Sequence, residues 1–256
     1  MNPLRKLSAI GFNVWRETIR NRGIFTLSVF FILFLFSSHV VGAAAMINSD
    51  RIVQTMGAFC FGLFGILSNI YLGNILIQDI TKKRLNIILT RPVSRSMFLT
   101  GKFFGMALVL ATVFGIAAAA WIFLLRINEV TIKPAHGWIL IFFYGEWLII
   151  AASSIFFAAF TSPLLHAFFV FFFTFFGHYS WDLVLYSTTQ TNIALKQLFV
   201  WLYYIIPNLE QINFRKHMLY ESPIAVESIL SGAGLVLLWV TVLLSGACII
   251  FSKRNI

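Results

Sequence analysis

The residues able to do chemistry are few and poorly placed for most enzymes. Nine acidic residues, five histidines and two cysteines are spread over 256 residues. No pair of carboxylates, Ser/His/Asp set or Cys/His cluster stands out. An intramembrane protease would want paired Asp, Ser with His, or a His-Glu-x-x-His helix. His39, His166 and His178 lack ligand spacing, so no metal site is expected. Cys60 and Cys248 lie inside apolar runs, which argues against a disulfide or metal framework. Thr100-Gly101-Lys102 looks like the end of a phosphate-binding loop. That loop needs a glycine five positions before its Gly-Lys pair and a Ser or Thr after it. Ser96 and Phe103 stand there instead. The chain is therefore not expected to bind ATP, and Gly101 and Gly105 read as points of close helix packing.

Two features remain. Glu146 falls within a long apolar run, about 12 Å from its outer end at ~1.5 Å per residue. Carboxylates there are costly and often functional. A proton or cation site is the sharp reading. A carboxylate bonded to Ser or Tyr, or reaching the interface, is the plainer one. The second feature is the stretch 77–105. It carries six of the nineteen basic residues, Lys82, Lys83, Arg84, Arg91, Arg95 and Lys102, between two apolar runs. Such a loop cannot sit in lipid.

The elements that carry these features read as membrane spans. The chain is 59% hydrophobic and 11% charged, with a mean hydropathy of +0.88. A soluble domain cannot hide that much apolar surface. Spans are expected at about 24–46, 56–78, 103–125, 138–160, 164–185 and 229–251, each reaching the ~20 residues a crossing helix needs. The first is too long in its apolar part for a signal peptide, despite Ala43-Ala44-Ala45. Thr161-Ser162-Pro163 breaks the fourth from the fifth. Phe168–Phe176 holds seven phenylalanines in nine residues; interhelix and lipid packing explains it better than a ligand box. Tyr179, Trp181 and Asp182 look like the outer end of the fifth span.

Residues 3–22 read as an amphipathic helix lying in the headgroup plane. Leu4, Leu7, Gly11, Val14, Trp15, Thr18 and Ile19 share one face. Arg5, Lys6, Asn13, Arg16, Glu17 and Arg20 share the other, with Arg22 just beyond them. Residues 190–228 should be external. Within them the run Leu198–Pro207, including Tyr203 and Tyr204, is too short to span and too apolar for a free loop. A helix dipping into the outer leaflet under a cover of protein is expected, ended by Pro207 and Asn208. A short helix at about 224–230 would lead into the last span. The chain thus reads as one all-α domain, 1–256.

Six spans put both termini on one side. That side holds 13 basic residues against Glu17 and Asp79, and the other holds six against seven acidic ones. The positive-inside rule places both termini and the basic loop in the cytoplasm, and the membrane is expected to be a bacterial inner membrane. The net charge of +10 flanks apolar runs and suits anionic headgroups rather than nucleic acid.

The order Asp79, Arg84, Leu89, Arg91-Pro92-Val93-Ser94-Arg95, Phe98-Leu99, Gly101-Lys102-Phe103 and Gly105 resembles permease subunits of ABC-2-type ABC transporters, in particular the branch called multi-copper-enzyme-maturation permeases. Tyr203-Tyr204-Ile205-Ile206-Pro207-Asn208-Leu209, the ending Phe251–Asn255 and the opening Trp15–Arg22 fit the same pattern. Thr81–Arg84 departs from it, where many members have Glu then Gly-Thr.

The resemblance implies that 79–98 is a coupling helix docking into a separate ATP-binding subunit, through Asp79, Lys82, Lys83, Arg84, Arg91, Pro92 and Arg95. Two ATP-binding subunits, which would hold ATP and Mg and hydrolyse the nucleotide, would serve two copies of this chain. The chain itself would be no enzyme and hold no cofactor. Three rivals stay open: a secondary transporter or channel using Glu146, a membrane scaffold tuned by an ATPase, and a membrane enzyme, the last disfavoured by the missing catalytic sets.

Overall fold

A computed structural model describes residues 3–44, 49–81, 94–189, 192–219 and 222–253. Among them every regular element is helical. Five helices are long and apolar enough to cross a membrane, or six if one bent pair counts as a span. This is the make-up of a polytopic membrane protein.

The helices are α1 (Pro3–Ile19), α2 (Arg22–Ala44), α3 (Ser49–Thr81), α4 (Arg95–Ile127), α5 (Pro134–Ala158), α6 (Pro163–His178), α7 (Ser180–Thr189), α8 (Ile193–Ile205), α9 (Arg215–Leu219) and α10 (Val226–Lys253), with a 3-10 turn at Leu209–Ile212. At ~1.5 Å per residue, the 33 residues each of α3 and α4 overrun a hydrocarbon layer ~30 Å thick. Their spans are thus longer than the apolar runs alone suggest. The break at 161–163 forms as expected. Ser162 is extended at φ −85° and ψ 163°, and Pro163 takes the first turn of α6, where its missing N–H costs nothing.

The core lies where α3, α4 and α5 meet. Glycines on α3, spaced by eight, receive large or polar side chains from its neighbours. A Cβ at Gly57 would run into Trp121 Nε1, one at Gly65 into Trp147 Nε1, and one at Gly73 into Ser154 Oγ. Trp147 donates from Nε1 to Phe61 O (2.9 Å) and lies edge-on to Phe114. On α5, Ala151, Ala152, Ser153 and Ser154 are fully buried. Small residues of this kind let membrane helices approach closely. Of the long helices, α5 is the most enclosed, and α2 and α10 the least.

Four expectations are corrected. The fifth span is not one helix: α6 and α7 meet at a 67° bend. The apolar composition runs on through 185, but Gly177 at the end of α6 is filled by Leu209 and the Pro207 carbonyl, so another segment occupies the ground a straight helix would take. The covered external piece is also not the helix at 198–207. That helix, α8, has no buried residue, and Trp201 and Tyr204 are exposed. It ends at Ile205, just before buried Pro207. The cover falls on the next segment, where Leu209, Ile212, Phe214 and Met218 are all buried. No separate helix leads into the last span, since α10 runs unbroken from Val226.

The last correction concerns α1. Its amphipathic face is as expected, with Gly11, Val14 and Thr18 buried and Arg5, Asn13, Arg16, Glu17 and Arg20 exposed. That face meets protein, however. Gly101 lies under Ile10, Gly105 under Val14 and Gly11 under Phe104, and Trp15 Nε1 donates to Thr112 Oγ1 (3.0 Å). The contacts advance along both chains together, so α1 runs beside α4 in the same direction. Glycines on both helices allow this approach, which a helix floating among headgroups would not need.

Candidate functional sites: a braced basic end and a buried acid

One end of the bundle gathers the start of α2, the end of α3, the start of α4 and the end of α10. The α1–α2 turn is held by Asn21, whose Oδ1 accepts from Gly23 N (2.9 Å) and from Tyr71 Oη (2.7 Å) on α3. Beside it, Lys102 Nζ on α4 donates to Asp79 Oδ2 on α3 at 2.6 Å, with side-chain exposures of 11% and 14%. A cavity of about 40 Å³, lined by Glu17, Thr18, Asn21, Asp79, Lys102 and Met106, lies between α1, α3 and α4. Lys102 also stands 5.7 Å from the Phe98 ring.

Helix α4 opens on Ser94, whose Oγ accepts from Met97 N (3.2 Å), a standard N-cap. Its first residue then reaches another helix: Arg95 Nη1 donates to Ser252 O (3.0 Å) and Phe251 O (3.4 Å) at the end of α10. Those carbonyls have no partner within their own helix. Phe98 stacks on Phe251, with ring centres 6.3 Å apart. Arg95→Ala should therefore loosen the last turn of α10 by about 1 kcal/mol, read as faster amide exchange at 250–253. Of the loop residues singled out in the sequence, Asp79 and Arg95 are brought into this frame. Lys82, Lys83, Arg84, Arg91 and Pro92 lie outside the described residues. Arg16, Arg20 and Arg22 are exposed.

The second site is inside. Glu146 on α5 is 2% exposed, and its Oε1 is 2.9 Å from His178 Nε2, the last residue of α6. Arg215, at the start of α9, lies on the same side of α5, one turn before Glu146. Its guanidinium carbon sits 4.9 Å from the centre of the Phe143 ring. So Glu146 is paired with His178, a partner the sequence hid. His178 read as a stray histidine and Arg215 as an external charge. The available signal was Gly177-His178, which interrupts an apolar run after only 16 residues of helix.

A third buried group resembles a catalytic pair in composition. Ser154 Oγ lies 2.9 Å from both Asn69 O and His166 Nε2. The hydroxyl has one hydrogen, directed to the Asn69 carbonyl, so His166 Nε2 donates to Ser154. The remaining ring nitrogen, Nδ1, has no partner among the described residues, so no acid orients the imidazole as a base. Tyr203 and Tyr204 meet edge to face with ring centres 5.5 Å apart, and Asn208 is half-buried. Among the described residues no group of three or more His, Cys, Asp or Glu side chains is placed to hold a metal.

No protein-family model and no curated protein matches this chain.

Proposed function

We propose that this chain is the membrane subunit of an ATP-driven transporter of the ABC-2 type, an exporter in the cytoplasmic membrane of a bacterium. Both termini would face the cytoplasm. Two copies would line the pathway, and two separate ATP-binding subunits would dock on the basic loop. The observation that carries this reading is the bracing of the basic end. The loop 82–93 joins two helices that overrun the membrane, and the second of them, α4, is tied to α1 by packing, to α3 by Lys102–Asp79 and to α10 by Arg95. A push on the loop would pass into four helices at once. That is what a subunit without its own nucleotide site needs from a motor.

Arg91→Ala tests this cleanly, because Arg95 also caps α10. The tagged chain, purified from membranes of its own cells, should bring ATPase activity with it. The variant should lower the co-purified activity at least tenfold while inserting normally. Undiminished co-purification would sink the docking role. A second reading, an ion-coupled carrier working through Glu146, draws on the Glu146–His178 contact. It predicts transport that follows an ion gradient and survives loss of the ATPase.

A further inference from the structure

We propose that Glu146, His178 and Arg215 form an oxyanion-binding site, in which the Glu146 carboxylate occupies the place that a carboxylate or phosphate group of a ligand takes. Calling that ligand the transported substrate rests on the reading above; the site itself does not.

The position comes first. Helix α6 stops at His178 and the chain turns by 67° into α7. Transporters build their binding sites at broken spans, where backbone and side chains can face a ligand instead of lipid. Antiparallel pairing of α6 with α5 through the turn at 159–162 sets His178 level with Glu146, and the two touch at 2.9 Å. The segment 207–219 fills the space beyond the end of α6 and carries Arg215 in with it.

The charge balance comes second. His178 touches the acid, and Arg215 stands over Phe143 one turn away on the same helix. Arg215 makes no side-chain hydrogen bond among the described residues, and its Nε is buried without an acceptor. Room has nonetheless been kept for it: a Cβ at Gly62 would stand 3.2 Å from Nη2, and the Phe143 ring forms the other wall. A guanidinium offers five N–H donors in a fork that matches a carboxylate or phosphate. Glu146 bonds to His178 and satisfies none of them. A buried donor without an acceptor is costly, so the cluster is incomplete in hydrogen bonds at the Arg215 Nε. An external oxyanion in the position of Glu146 can bridge both cations and use that fork.

Removing the internal carboxylate should therefore create a demand for an external one. The test is thermal unfolding of the full chain in detergent as Glu146→Ala, alone and combined with Arg215→Ala. Acetate, inorganic phosphate and chloride are titrated at equal ionic strength. Acetate or phosphate should restore at least half of the Tm lost by Glu146→Ala, saturably, and should do little for the double variant. A response to acetate alone would assign a carboxylate ligand, and a response to phosphate alone a phosphoryl one. Equal rescue by chloride, or equal rescue of the double variant, would overturn the site. If Glu146→Ala does not fold, Glu146→Gln keeps the packing. Phosphate should then raise its Tm saturably and more than that of the unmodified protein, and no saturable rise would overturn the proposal. None of these measurements involves the ATP-binding subunit, so failure here and failure of the docking reading are separate results.

Discussion

Trp147→Ala is expected to destabilise the bundle more than any other single truncation, by about 3–5 kcal/mol. The side chain is fully buried. It touches three aromatic rings, with centres 5.0 Å away at Phe114, 6.1 Å at Phe31 and 6.4 Å at Phe61. Its indole N–H bonds the Phe61 carbonyl. Lipid tails are as apolar as these rings, so the hydrophobic effect contributes little between membrane helices; what is lost is packing and one hydrogen bond. The cavity would open where α2, α3, α4 and α5 converge, so no one helix can shift to close it. Trp147→Phe should cost clearly less, because the rings keep most of their contacts. A steric trap or denaturant titration in mixed micelles reads both. A loss below about 1 kcal/mol for the alanine variant would mean that the site collapses freely, contrary to the packing at Gly65.

The difference between what the sequence revealed and what it hid comes from distance along the chain. Spans and their breaks are local. Length and hydropathy place α2, α3, α4, α5 and α10, and Pro163 marks the turn before α6. The glycines at 101 and 105 pointed to close packing, and only their partner, α1, was missing, because composition cannot tell a lipid-facing apolar stripe from a protein-facing one. The break after His178 is not local. Residues 164–185 have the make-up of one span, and it is Pro207 and Leu209, some thirty positions later, that take the space beside Gly177. Arg215 was hidden for the same reason. Its charge read as external until the segment bearing it was seen to enter the bundle beside Phe143, one turn from Glu146.

Lys102→Met is expected to cost about 1.5–3 kcal/mol, because it removes a short, largely shielded charge-assisted hydrogen bond to Asp79. The comparison with Lys216–Glu210 shows why magnitude separates two pairs that look alike on paper. That pair is 3.2 Å apart with side-chain exposures of 74% and 31%, so water and salt screen it, and breaking it should cost about 0–1 kcal/mol. Lys102 and Asp79 are 2.6 Å apart at exposures of 11% and 14%. Salt should weaken the first pair and leave the second nearly unchanged, since counterions reach only the exposed one. The exchange Asp79→Lys with Lys102→Asp should recover more than half of the loss, which a purely steric role for either side chain would not allow. The functional consequence separates docking from transmission. Arg91→Ala should release the ATP-binding subunit. Lys102→Met should leave it bound while transport per ATP falls, because the loop would still be held but α3 and α4 would no longer move as one. Unchanged transport per ATP in a folded Lys102→Met protein would remove this pair from the coupling path and leave it a structural brace.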